Sequence, residues 1–288
     1  MKGRILVAAD GGAGSLGALR AARALAERDG VCVDVLAVDE AAPGYGGGAA
    51  YGLAPPFSLD ASRVRELREA VRRQLGMVGG VAAEWPVEVR TGAVAPVIAL
   101  EAEARGAALV VLGRSRRTGG AIASAVAGLA RVPVLAASAE GALPTCAVVA
   151  VGLRGPASDA ARAAQELLPR NGVLHLVHVA RRSGTDARAA LEVLRLELRS
   201  TGSVKVRAHV LQGDPLEEVL ALAARKEAGL VAVGCHRDRP GALAAGLPTW
   251  LVRRAGCAVL VAPRSTPGFE LETEDIEEQL HLATSAFG

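Results

Sequence analysis

Two pairs of glycines set the frame for this chain. Gly92 and Gly213 each close an apolar run and precede a helical pattern, Gly113 and Gly234 each end a further apolar run, and both pairs lie 121 residues apart. Two landmarks sharing one offset mean that a single module is written twice. At the first apolar run the offset is larger, 142 from Ile5 to Ala147, so the first copy carries 21 extra residues ahead of Gly92. The stretch 41–57, AAPGYGGGAAYGLAPPF, is crowded with Gly and Pro, lacks periodicity and accounts for most of them.

Within each copy, apolar runs alternate with helical patterns. The first copy has runs at 5–9, 31–38, 85–90, 109–112 and 132–136. Between them lie helical stretches at 16–28, 58–77, 97–105 and 121–130, the second carrying Val64, Leu67, Val71 and Leu75 on one stripe. The second copy repeats the series with runs at 147–151, 173–179, 204–210, 230–234 and 258–262 and helices at 158–168, 186–200 and 216–226. Continuous rather than alternating apolar runs belong to strands covered on both faces. The expected fold class is therefore α/β, with two tandem doubly wound units, each a parallel sheet flanked by helices. Gly141 and Pro144 mark 140–145 as the linker, which divides the chain into 1–139, 146–264 and an acidic tail 265–288.

Composition narrows the function. Apolar residues make up 51% of the chain and aromatics 2%, so the cores are built from Ala, Val and Leu. A net charge of +3 with no basic run interleaved with aromatics argues against a nucleic-acid partner. No uncharged apolar stretch has the length of a membrane span, and Asp10 follows Met1 too closely for a signal peptide, so no membrane partner and a cytoplasmic location are expected. Cys32, Cys146, Cys235 and Cys257 show no close pairing and read as buried thiols. His175 and His178 sit on opposite faces of one strand, and Cys235-His236 lacks further ligands, so no metal site is expected. No Ser/His/Asp or Cys/His constellation or carboxylate pair is visible, which argues against an enzyme.

The stretch 109–120, LVVLGRSRRTGG, joins a strand to a Gly- and Arg-rich turn ahead of a helix, a layout that can hold phosphate on backbone N–H groups. Gly113, Gly120 and Ala121 would supply the backbone, and Arg114, Arg116 or Arg117 charge-assisted bonds. An Arg-rich turn that is merely solvated fits the same residues.

At Ile5-Leu6-Val7-Ala8-Ala9-Asp10-Gly11-Gly12, at Val87-Glu88-Val89-Arg90-Thr91-Gly92 and at 109–113, the chain resembles the universal stress protein family, and the likeness runs through both copies to 264. The resemblance implies a five-stranded sheet per half, with the halves packed as an internal version of a dimer. It also implies ATP or another adenine nucleotide at the switch point of the first half, with Ala9, Asp10 and Gly11 at the end of the first strand and Val38 as an apolar wall. For Asp10 the competing reading is a cap on the following turn. The family motif G-x-x-G, nine residues, then G-[S/T] is not reproduced: Arg116 replaces the second Gly, and Gly120-Ala121 occupies the later pair without a hydroxyl. In the second half Arg237 and Ala245-Gly246 take these places and Gly152 replaces the Asp, so no nucleotide is expected there.

Five of the seven aromatics, Tyr45, Tyr51, Phe57, Phe269 and Phe287, fall in the insert or the tail. Both segments are expected to contact a protein partner or another part of this chain. The tail carries Glu270, Glu272, Glu274, Asp275, Glu277 and Glu278 and no Lys or Arg from 268 onward, with Ile276, Leu280, Ala283 and Phe287 on one helical face. A regulatory nucleotide-binding protein and a nucleotide-free scaffold acting as a pseudo-symmetric dimer are the two readings, with further homo-oligomerisation open.

Overall fold

The computed structural model describes residues 3–40, 61–114, 120–152, 157–180, 185–201, 204–235 and 246–263. The first half runs β1 (Arg4–Ala8), α1 (Ala13–Asp29), β2 (Cys32–Asp39), α2 (Ala61–Val78), β3 (Val87–Thr91), α3 (Val94–Ala104), β4 (Ala107–Gly113), α4 (Ala121–Leu129) and β5 (Val134–Ala137). The second runs β6 (Cys146–Ala150), α5 (Ala157–Leu167), β7 (Val173–Ala180), α6 (Thr185–Thr201), β8 (Lys205–Gln212), α7 (Pro215–Arg225), β9 (Leu230–Cys235), α8 (Leu247–Arg254) and β10 (Ala258–Pro263). The duplication extends to backbone conformation. Gly92 and Gly213 leave β3 and β8 with φ of 146° and 139°, a region that a side chain would strain.

The strand order is β3-β2-β1-β4-β5-β10-β9-β6-β7-β8. Every pair inside a half is parallel, and β5 meets β10 antiparallel, with Leu135 opposite Leu260. The two expected five-stranded parallel sheets are therefore present and fused edge to edge around a pseudo-two-fold axis. Because the sheet is continuous, the apolar core divides by face rather than by half. Ile5 and Val7 lie with Ala147 and Val149 under α1, α2, α5 and α6. Leu6 and Ala8 lie with Val148 and Ala150 under α3, α4, α7 and α8. Full burial of each Val or Leu contributes about 1.5–3 kcal/mol, so strands covered on both faces stabilise the sheet without aromatic side chains.

Small residues set the spacing. A Cβ on Gly17 of α1 would lie 2.1 Å from the Ser138 carbonyl oxygen, so the exit of β5 rests directly on this helix. Helix α1 ends where Gly30 turns left-handed at φ 67° and donates its N–H to the Ala26 carbonyl. Helix α3 begins at Val94, ahead of the expected 97, because Pro96 falls in its first turn, where no intrahelical N–H bond is required. Across the seam, Arg28 donates from Nη1 to the Leu167 carbonyl and from Nη2 to that of Glu166, both at 2.8 Å, placing a cation on the C-terminal carbonyls of α5.

The cysteines depart from expectation. Only Cys235 is buried; Cys146 and Cys257 are half-buried and Cys32 is exposed. Cys32 and Cys146 each open a strand, where the covering helices leave the sheet end accessible.

Candidate functional site

The strand order of the first half reverses between β1 and β4, so the crevice lies beyond their carboxyl ends, where open α/β sheets hold ligands. Ala9 is buried there and donates its N–H to the Leu36 carbonyl at 2.9 Å, extending the β1–β2 pairing by one residue. The chain then turns sharply. The exposed Asp10 accepts at Oδ1 from the Gly12 N–H at 2.8 Å and from the Ser15 hydroxyl at 2.5 Å, while the Ser15 oxygen accepts the Asp10 N–H at 3.0 Å. Asp10 therefore shapes the turn ahead of α1, although the N-cap itself is Gly12.

Helix α2 covers this turn. Gly11 is left-handed at φ 74°, and a Cβ there would sit 2.6 Å from that of Ala70. Gln74, buried in the same helix, donates from Nε2 to the Gly12 carbonyl at 2.7 Å, while its Oε1 has no partner among the described residues. Val38, half-buried near the end of β2, packs against the apolar core on the face covered by α3 and α4.

The residues at the end of β4 and the start of α4 pack on α1 and on the seam between the halves. Gly113 lies so close to the start of α1 that a Cβ would fall 1.9 Å from the Gly14 carbonyl oxygen. Arg114 donates from Nη1 to the carbonyls of Ala255 at 2.6 Å and Val252 at 3.2 Å, and from Nη2 to that of Cys257 at 2.7 Å. Its guanidinium thus closes the C-terminal end of α8, and burial lowers its basicity. The expected phosphate-facing cation is engaged by carbonyls of the second half, because the C-terminus of α8 offers a nearer concentration of negative dipole. Gly120, left-handed at φ 79°, is the N-cap of α4 and makes no side-chain cap; a Cβ there would lie 2.6 Å from Cγ1 of Val252. Ala121 is the exposed first residue of that helix. Arg116, the insert 41–57, His236 and the tail 265–288 lie outside the described residues.

Sequence reasoning missed Ser15, Gln74 and Ala70 as neighbours of the Asp10 turn. Ser15 carried a local signal, five residues after a strand-end Asp, but the α2 contacts span sixty residues and no periodicity encodes them. It also missed that His209 meets His175. In the second half Gly152 stands where Asp10 does. Among the described residues no group of three or more His, Cys, Asp and Glu side chains is placed to hold a metal, and no helix is long and apolar enough to cross a membrane.

Duplicated parallel α/β units, joined through one antiparallel strand pair, define a tandem doubly wound α/β protein. Residues 1–138 match the Universal stress protein family. No curated relative matches the chain. Among known structures, a universal stress protein from Archaeoglobus fulgidus DSM 4304 is similar over 91% of this chain and 96% of its own, with 19% identity and a TM-score of 0.65. A functionally unknown protein from Pseudomonas aeruginosa PAO1 is similar over 99% of this chain and 98% of its own, with 15% identity and a TM-score of 0.58. Likeness at these identities establishes the tandem fold, with two such units in one chain.

Proposed function

We propose that the protein is a non-catalytic regulator that takes an adenine nucleotide at the switch point of its first half, holding it chiefly by the adenosine end. The observation that carries this reading is the Asp10 turn. Oδ1 is engaged by Gly12 and Ser15, which fixes the carboxylate of an otherwise exposed residue at the end of β1. Ala9 and Gly11 supply the adjoining backbone, and the uncapped start of α4, from Gly120 and Ala121, is the place for phosphate together with Arg116 and the Gly113 backbone. Arg114 has a different task here, holding the seam.

Calorimetric titration with ATP and with adenosine tests this. Both ligands bind, Asp10→Ala weakens both at least tenfold, and Arg116→Ala weakens only ATP. Absence of heat with either ligand, or equal affinity in Asp10→Ala, refutes the reading.

A second reading is favoured by Arg114. With its guanidinium and two site glycines committed to packing, the molecule is a nucleotide-free scaffold that presents the 41–57 insert and the acidic tail to a protein partner. In either reading 1–139 and 146–264 act as units around the linker 140–145. Deleting 41–57 or 265–288 lowers partner capture or changes oligomer size if these segments are contact surfaces; unchanged assembly and capture count against them.

A further inference from the structure

The two halves share a fold but not the polar cluster beneath their lower helices. In the first half Arg4 pairs with Asp34 at 2.8 Å, Arg105 with Glu88 at 2.5 Å and Glu101 at 2.6 Å, and Arg90 with Glu101 at 2.7 Å. Three cations face three carboxylates, and the cluster is neutral within itself.

The 121-residue offset places His209 where Glu88 stands and Lys226 where Arg105 stands. Strand register does the same for the inner member: Asp34 lies opposite Leu6, and His175 lies opposite the equivalent Val148. Cys146 takes the place of Arg4. Each carboxylate of the first-half core pair has become an imidazole, while the cation from the helix end is retained. Arg207, opposite His175 in β8 and on the same face as His209, adds a further positive charge.

The geometry is compact. His175 is 3% exposed, its Nδ1 lies 2.8 Å from Nε2 of His209, and the ring centroids are 5.0 Å apart. One ring nitrogen must donate and the other accept, so the pair can share this bond only while one of the facing nitrogens lacks a proton. The groups acting on the pair are Lys226 and Arg225 from the end of α7 and Arg207 from β8; Cys146 of β6, whose thiol burial keeps protonated, lies under the same Lys226 and Arg207. Arg207, Arg225 and Lys226 are exposed and enter no ion pair among the described residues. Burial first, then for His175 the neighbouring His209, and then these cations, lower the basicity of both imidazoles, His175 being pushed down to about 4.

We propose that Arg207, Lys226 and the His175–His209 pair form a site for a small phosphate-bearing anion on the outer edge of the second half, with binding accompanied by proton uptake. An anion set between Lys226 and Arg207 supplies the negative charge that Asp34 and Glu88 supply in the first half. It lowers the cost of charging the imidazoles, and by reciprocity a protonated pair holds the anion more tightly. The adenine-directed crevice of the first half plays no part in this site.

Titration calorimetry of the full chain with inorganic tripolyphosphate, at pH 6 and pH 8 in buffers of different ionisation enthalpy, tests the proposal. Binding is expected to be roughly tenfold tighter at pH 6, with buffer-dependent heats that report proton uptake. Arg207→Gln combined with Lys226→Gln, both on exposed side chains, abolishes binding, whereas Asp10→Ala leaves it intact. His209→Gln removes the pH dependence; should that variant fold poorly, downfield shifts of the His175 and His209 ring protons on adding tripolyphosphate to the unaltered chain report the same coupling. Absence of binding, binding that survives the double substitution, or binding without proton uptake overturns the proposal.

Discussion

Replacing Arg114 by Met tests the central claim about the seam. The guanidinium donates to three main-chain carbonyls of the second half, two of them at 2.6 and 2.7 Å. A hydrogen bond from a charged donor contributes about 1.5–3 kcal/mol. The two short bonds therefore amount to roughly 3–6 kcal/mol, and partial access of water to this half-buried site lowers the expected loss to about 3 kcal/mol. Met restores the apolar stem and no donor, while Lys reaches at most one carbonyl, because a single ammonium cannot span the fork. Urea unfolding followed by circular dichroism and by fluorescence reads the effect, since Trp250 lies on α8, the helix that Arg114 closes. Met lowers stability by about 3 kcal/mol and Lys recovers less than half of that. A loss below about 1 kcal/mol would class the contacts with ordinary surface pairs and refute the reasoning.

Three further outcomes follow from the same geometry. Gly113→Ala drives a Cβ to 1.9 Å from the Gly14 carbonyl oxygen and costs about 1–3 kcal/mol, read as a fall in Tm; an unchanged Tm would show that α1 shifts at no cost. Ser15→Ala removes two hydrogen bonds that hold the Asp10 turn and costs about 1–2 kcal/mol, with a parallel loss of adenosine affinity in calorimetry. His175 is lowered from 6.5 to about 4 in the folded chain, so the unfolded chain binds the proton first as pH falls. Stability is full above pH 6.5, declines between 6.5 and about 4, and loses up to about 3 kcal/mol at the lower end. His175→Gln flattens that slope in urea titrations run from pH 7 to pH 4, and an unchanged slope would mean that other groups carry it.

Much of the architecture is legible in the sequence. The shared offset of Gly92 with Gly213 reports positions whose positive φ a side chain would strain, and that constraint recurs with the fold; Gly113 is fixed by its close approach to Gly14. The edge-to-edge join of β5 and β10 was not legible in the periodicity, because a run such as Val134-Leu135-Ala136-Ala137 looks the same whether its free edge meets solvent or another strand. The site was read less well. Arg114 in a Gly-rich turn satisfies the chemistry of a phosphate ligand and of a helix C-terminal clamp equally, and only the position of α8 separates them. The His175–His209 contact depends on parallel register between two strands 34 residues apart, which no local pattern records.

The antiparallel β5–β10 pairing has a consequence for assembly. A pair of separate subunits joined at such an edge would come apart on dilution, and each exposed strand would be open to unwanted partners. Here both inner edges are satisfied by the same polypeptide, and the short connection between the halves keeps the local concentration of each partner high at any protein level. Freed from having to find a copy of itself, each half has been able to diverge, and two unlike surfaces ride on what began as identical scaffolding.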